Sequence, residues 1–473
     1  MLKRAMDVFY ASVGTAGTVI GHKEHPDAAA KWQLTLVTAA VASFYSVIGA
    51  RDKAAAVTSS SESASYLIRN AWGMVSLPAV KNLSLQASRL IKGAAVADRI
   101  EICGIHCFIL SSDPAPELAA AIKRSHRFNQ RRRVRKPFAT LSTIDEQEEH
   151  TPSCSNHRRD GCTAPFVRSS SRRYRQRDVI FHLTGGGFFA HIHSTDLPYL
   201  LDWSAATGTV VICPEYALLP EHTFPVALNE VEDVYEALVS DEAVSVLGFE
   251  TNRIIVTGES AGGNLAASLC VKICTDDQNR IDIPMDNNYH MIGSEPMDSD
   301  GCSHTTIDQH PSTKLDTSLE RTIRLPDALM LSCPVLNLSL EMSHSRVVGN
   351  DDPVLPSGLI SAISDAYLPS KLGISKKDPL ASPFYASNEI LRHFPPTLLF
   401  ASSNDPLLDD SVVFNQRLRE HGVDSDLIAA HNLPHAYLGL GTAGFPEAKQ
   451  IQEKCIIWLN EQFTKQIKTQ VHP

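Results

Sequence analysis

The chain has 473 residues, of which 43% are hydrophobic and 20% charged, and a formal net charge of −10. This is a globular composition with ample material for a core, and the acidic balance argues against general nucleic-acid binding. Ten cysteines show no regular framework, so they read as reduced, mostly structural thiols of a cytoplasmic protein.

In chain order, residues 1–122 read as a helical N-terminal cap. A Lys-Arg pair near Met1 has no long apolar run behind it, so no secretory signal is expected. The stretch 34–50 is uncharged and 17 residues long. It is at the short limit for a membrane span, and its Ser, Thr and Tyr favour a buried helix over membrane contact. Residues 65–92 carry apolar positions at helical spacing, interrupted at Pro78. Residues 123–177 read as a basic and polar linker, opening with "KRSHRFNQRRRVRK", which we read as a solvated loop.

From 178 to 470 short Val/Ile/Leu runs alternate with helical patterns. Strands are expected at 178–183, 208–216, 253–258, 327–335, 396–403 and 426–433. Helices are expected at 227–240, 261–274, 409–422 and about 446–467. This alternation predicts an α/β fold, a mainly parallel sheet covered on both faces. Residues 275–322 are polar and lack periodicity, and are expected to be a disordered insertion.

"TGGGFFA" (184–190) follows the first of these strands. Three adjacent glycines imply close approach to the main chain. The G-x-G-x-x-A spacing, with Glu215 ending the next strand, outlines a dinucleotide turn, but Pro198 is expected to interrupt the phosphate-binding helix. A P-loop is excluded because no Gly-Lys-Ser/Thr follows. "GESAG" (258–262) sits between a strand and a helix, the context of a sharp turn that presents the Ser260 hydroxyl. A serine nucleophile needs a base, and the base an orienting carboxylate. Asp405 lies in a loop just past a strand, whereas Asp409 and Asp410 stand where helix caps stand. His435 lies on the loop beyond Pro434, and His431 nearer the strand end. The glycine loop can then offer backbone N–H groups to an oxyanion, together with that of Ala261. No cofactor is required. The cysteine pairs 103/107 and 154/162 have no partner pair at zinc spacing, so no metal is expected.

These residues carry a resemblance to the hormone-sensitive lipase family of α/β-hydrolases. "TGGGF" is similar to its H-G-G-G-F loop, and "YALLPEHTFP" (216–225) to its Y-x-L-A-P-E-x-x-F-P segment. "GESAGGN", "DPLLDDS" (405–411) and "LPHAYL" (433–438) are similar to its nucleophile, acid and histidine loops. The resemblance covers about 176–465, and residues 65–92 look like the tail of a shortened N-terminal domain. It implies an α/β-hydrolase fold, Ser260, Asp405 and His435 as the triad, and Gly186, Gly187 and Ala261 as oxyanion donors. It also implies acylglycerols, cholesteryl esters or smaller lipophilic esters as substrates, with contact to a lipid-droplet or membrane surface. The segment around "SGLISAISDAYLP" (357–369) is expected to join the N-terminal helices in a lid over the acyl pocket. One departure stands out: Thr184 replaces the family's histidine, so the loop is expected to be less firmly supported, with His182 the candidate replacement. A membrane-anchored deacetylase and a non-catalytic ligand receptor are the rival readings.

Overall fold

A computed structural model describes residues 81–82, 85–86, 89, 93–134, 174–281, 323–349, 352, 354–442 and 445–465. The elements in chain order are β1 (Val96–Ile102), β2 (Ile105–Ser111), α1 (Pro116–Val134), β3 (Gln176–Leu183), α2 (His193–Thr207) and β4 (Val210–Pro214). There follow α3 (Val226–Val239), α4 (Glu242–Leu247), β5 (Glu250–Glu259), α5 (Ala261–Ile281), β6 (Ala328–Ser332), α6 (His344–Val348) and α7 (Ser357–Tyr367). The chain continues through α8 (Asn388–Leu391), β7 (Thr397–Ser402), α9 (Leu408–Glu420), β8 (Ser425–Ala430), α10 (Leu438–Thr442) and α11 (Pro446–Thr464).

The eight strands form one sheet in the order β1-β2-β4-β3-β5-β6-β7-β8. The six strands from β4 to β8 run parallel, and β1 and β2 add an antiparallel edge. The inner strands are buried on both faces, which is why they read as continuous apolar runs rather than alternating ones. Val179, Phe181, Val256 and Leu331 point into one core with α3, α5 and α7. Ile180, Ile255, Met330 and Phe400 point into the other with α2 and α11. No helix among the described residues is long and apolar enough to cross a membrane.

Three boundaries differ from the sequence expectation. The supposedly all-helical region 1–122 contains β1 and β2. Their two-residue turn, Cys103–Gly104, has both φ angles positive, as a tight hairpin requires. β2 becomes a strand through its long-range pairing with β4, from Cys107↔Pro214 to Leu110↔Val211, which local periodicity does not reveal. The expected linker at 123–177 begins as the second half of α1, and its last residues open β3. Residues 275–281 of the expected insertion belong to α5, which continues to Ile281. The stretch 34–50, the rest of the N-terminal helices, most of the linker and residues 282–322 lie outside the described residues. Pro198 does not interrupt a helix either: it sits inside α2. That helix begins at His193, well beyond the glycines, so the glycine loop does not open a helix as a dinucleotide turn would.

Ile255 is fully buried in β5, between β3 and β6. Ile255→Ala is expected to cost about 2–5 kcal/mol through lost transfer energy and a residual cavity. Urea denaturation should show a lower midpoint with an unchanged slope.

Candidate active site

β5 ends at Glu259 and α5 begins at Ala261, leaving Ser260 alone in the turn with φ at +55°. A non-glycine residue in this region costs of order 1–3 kcal/mol and persists only where its surroundings over-determine it. Here they do. The Ser260 N–H donates to the Ser332 carbonyl (2.9 Å), and the Ser260 carbonyl accepts from Val335 N–H and Asn264 N–H, both at 3.1 Å. The Asn264 amide donates to the carbonyls of Val335 (2.7 Å) and Ala381 (2.8 Å). The helix packs so closely on β3 that a Cβ at Gly262 would lie 1.9 Å from the Leu183 carbonyl oxygen.

Asp405 follows β7 and His435 follows β8. His435 Nε2 lies 2.8 Å from Ser260 Oγ, and Nδ1 lies 2.8 Å from Asp405 Oδ2. Asp405 Oδ1 accepts the Leu407 N–H at 2.9 Å. All three side chains are buried. Burial works against a charge on His435. The carboxylates of Asp405, Asp352 and Glu259 outweigh it and hold the imidazole pKa above its ordinary value. Such an arrangement can draw a proton from a hydroxyl and stabilise the resulting imidazolium.

The neighbouring aspartates are engaged elsewhere. Asp409 accepts the Ser345 N–H at 2.7 Å, and Asp410 pairs with Arg346 at 2.5 Å. Burial pushes the Asp410 carboxyl up to about 6 despite that partner. His431 is exposed.

The glycine loop faces the serine. Gly185, Gly186 and Gly187 line one cleft with Ser260, His435, Ile192, Val335, Leu338, Val354, Leu355, Ile360 and Ile363. Gly186 has φ at +121°, and a Cβ there would meet the Ala190 carbonyl oxygen at 2.1 Å, so no side chain fits. Ile360 and Ile363 come from α7, which therefore forms a wall of the cleft, as expected for the lid segment. Most of the N-terminal region expected to join it lies outside the described residues.

Thr184 is not idle. Its hydroxyl donates to Asp196 Oδ2, and its carbonyl accepts from the Tyr216 hydroxyl at 2.7 Å. His182 Nε2 lies 3.4 Å from the same Asp196 oxygen, and its Nδ1 lies 2.8 Å from Thr257 Oγ1. Thr184 and His182 thus converge on one carboxylate on α2. Asp196 is fully buried, which opposes ionisation. The bond and charge of His182 and the bond from Thr184 nevertheless draw its pKa below the usual carboxylate value. Asp196 escaped the sequence reading because it lies in none of the motifs, whereas Tyr216 opens the segment 216–225, whose pattern gives no sign that its hydroxyl reaches the Thr184 carbonyl.

Two groups of side chains bring possible metal-ligating atoms within 4.8 Å of one another among the described residues: His191, His193 and Glu215, and Cys333, Asp405 and His435. Glu215 already pairs with Lys81 and Arg99, and those charges oppose a cation. Asp405 and His435 are taken up by the hydrogen-bonded run to Ser260. Cys103 is exposed and Cys107 buried in the β1–β2 hairpin, and Cys154 and Cys162 lie outside the described residues.

Because Thr184 and His182 share Asp196, their contributions should couple. Thr184→Val is expected to destabilise the fold by about 1–3 kcal/mol, the cost of leaving a buried polar group short of a partner. His182→Ala should do likewise, and the double variant should lose measurably less than the sum. A double-mutant cycle in urea checks this, and strict additivity would mean that the two residues act separately.

The comparisons accord with this geometry. A family model described as alpha/beta hydrolase fold matches residues 179–439. An esterase of Acinetobacter venetianus is 29% identical over 278 residues, covering 58% of this chain and 71% of that protein. Mouse arylacetamide deacetylase (Mus musculus) is 26% identical over 306 residues, covering 60% and 73%. Mouse hormone-sensitive lipase is 27% identical over 193 residues, which is 41% of this chain but 19% of that protein. Among solved structures, the hormone-sensitive lipase homologue EstE7 from a metagenome library superposes with a TM-score of 0.52 at 17% identity, covering 84% of this chain and 97% of that one. With more than half of its residues matched by the family model, and with a mainly parallel eight-stranded sheet carrying Ser260 at a strand-to-helix elbow, the chain belongs to the α/β-hydrolase fold family.

Proposed function

We propose that this chain is a serine hydrolase of carboxylic esters working through an acyl-enzyme. The observation that carries the reading is the unbroken run from Asp405 through His435 to Ser260, facing the glycine loop across one cleft. Ser260 Oγ attacks the ester carbonyl carbon while His435 Nε2 takes its proton. The N–H groups of Gly186, Gly187 and Ala261 hold the negative charge that develops on the carbonyl oxygen. His435 then returns the proton to the leaving alcohol as the C–O bond breaks. A water molecule, deprotonated by the same nitrogen, releases the acid and restores Ser260. Asp405 keeps the imidazole oriented throughout.

The cleft wall is aliphatic, which suits the acyl chain of a lipophilic ester. Acylglycerols, cholesteryl esters or smaller lipophilic esters are the substrate classes we favour. Relatives named esterase and hormone-sensitive lipase support that choice. Such substrates collect at lipid-droplet or membrane surfaces, and transient contact with one is part of the proposal. A reducing, cytoplasmic setting is also proposed, supported by the free thiols of all seven described cysteines, and cell fractionation tests it.

An ester panel of graded acyl length, with an aryl acetamide included, tests the reaction class. Turnover of esters is expected, and a preparation that cleaves none would overturn the reading. Ser260→Ala should reduce turnover by at least roughly 10³-fold while leaving the fold intact. Normal turnover by the folded variant would exclude Ser260 as the nucleophile.

The pH dependence follows from His435. The base must be neutral to accept the serine proton, so protonation as pH falls removes activity. Its neighbouring carboxylates raise its pKa, so the acid limb of kcat/KM should lie above histidine's ordinary ~6.5. Below that limb the rate should fall about tenfold per pH unit. A profile flat from pH 5 to 8 in a stable protein would contradict the role of His435.

A further inference from the structure

Asp352 is not a member of the Asp405–His435–Ser260 run, yet its carboxylate lies between that run and the cleft wall. Asp352 Oδ2 accepts the backbone N–H of His435 at 2.8 Å. Asp352 Oδ1 accepts the backbone N–H groups of Val354 and Leu355, each at 2.8 Å. The residue is 4% exposed. All three donors are main-chain groups, so none can turn away if the acceptor is lost. An ionised carboxylate presents two oxygens that only accept, which an amide cannot do.

What Asp352 joins is functionally specific. Val354 and Leu355 line the cleft beside Ser260 and His435, and α7, which contributes Ile360 and Ile363, starts just beyond them. At the far end of that helix the Tyr367 ring stacks on Phe188, with centroids 3.8 Å apart and planes 7° from parallel. Phe188 follows Gly187 in the glycine loop and itself has φ at +62°. Tyr367 is held in turn by Phe224, whose N–H donates to its carbonyl at 3.1 Å. One continuous wall thus touches the histidine loop at its start and the glycine loop at its end.

We propose that Asp352 is a positioning residue that fixes the main chain of His435 to the acyl-pocket wall, so that placement of the imidazole and shape of the pocket depend on one carboxylate. The proposal rests on the ester-hydrolase reading above. Its electrostatic side is separable from its geometric side. The acidic groups facing His435 are Asp405 from the loop after β7, Glu259 from the end of β5 and Asp352, with the Cys333 thiol close by after β6. Asp352 faces His435 and Asp405. Removing its charge withdraws one of the groups that favour the imidazolium: Asp405 acts more strongly, and Glu259, whose carboxyl burial and Asp196 push up to about 8, acts more weakly.

The test uses the full chain carrying Asp352→Asn or Asp352→Glu, with steady-state kinetics on a short-chain and a long-chain ester, pH profiles and thermal unfolding. In Asp352→Asn an amide NH₂ must confront a backbone N–H. kcat should fall roughly tenfold to a hundredfold, as for a misplaced reacting group, with KM for the short ester little changed. The acid limb of kcat/KM should move to lower pH. Asp352→Glu keeps the charge but displaces it by a methylene, so kcat should fall while the acid limb stays in place. A folded Asp352→Asn with wild-type kcat and an unmoved acid limb would overturn the proposal, as would a loss confined to KM. Should Asp352→Asn fail to fold, Asp352→Glu decides: an unaltered kcat overturns the proposal, and a lowered kcat with an unmoved limb upholds it. If the wild-type chain hydrolyses no ester, the functional reading fails by itself. The rate at which a fluorophosphonate labels Ser260 in the two variants then tests Asp352 separately, and labelling at the wild-type rate would overturn its role.

Discussion

The structure depends on the contact between the first turn of α5 and the end of β3. Leu183 is registered opposite Gly258, so the chain leaving β3 and the chain leaving β5 emerge side by side. Gly262 then lies against the Leu183 carbonyl with no room for a Cβ. This places the glycine loop, which starts one residue later, directly over the serine. A shift of that register would separate the two parts of the site even if each loop kept its own shape. The left-handed backbone at Ser260 is tolerated because Ser332 at the end of β6 and Val335 in the segment after it clamp it from the other side.

Around this contact the parallel topology performs the assembly. Adjacent parallel strands deliver their carboxyl ends to one edge of the sheet, where ligand-binding loops of open α/β sheets gather. β3 contributes the glycine loop, β5 the serine, β7 Asp405 and β8 His435. The distances between these groups follow from strand order and the spacing of neighbouring strands, so residues 175 positions apart meet within hydrogen-bond range. The segment after β6 supplies the rest: Asp352 reaches the histidine loop, and α7 closes the wall.

The site gathers four buried acidic groups, Asp196, Glu259, Asp352 and Asp405. Burying an unpaired carboxylate is costly, and each of these has partners. Asp405 and Asp352 accept backbone N–H groups, and Asp196 accepts the Thr184 hydroxyl. Glu259 receives the Ser332 hydroxyl at 3.3 Å, but burial and the nearby Asp196 push its carboxyl pKa well up. The negative field converges on His435, the one group that must carry a positive charge during turnover. At the same edge, Glu215 just past β4 is bridged by Lys81 and Arg99, which ties the start of the described chain and the β1–β2 hairpin to the strand that leads to Tyr216.

Much of this was legible in the amino-acid order. Parallel strands buried on both faces announce themselves as apolar runs, and a strand-to-helix elbow demands glycines around its serine. The choice of Asp405 over Asp409 and Asp410, and of His435 over His431, followed from loop position. The β1–β2 hairpin was not legible, because β2 owes its extended form to pairing with β4 a hundred residues later. Nor was the support of Thr184. The expectation of a weakly held loop compared one side chain with a family pattern, whereas Asp196 comes from the middle of a helix pattern that shows no sign of its role. Asp352 lies in "NDDPVLP", which reads as an ordinary turn. Sequence determined which residue types could do the chemistry and the order in which the strands present them. Only the tertiary structure decided which buried carboxylate faces which backbone N–H, because those contacts depend on strand register and on how loops from different strands pack, and neither leaves a local periodicity.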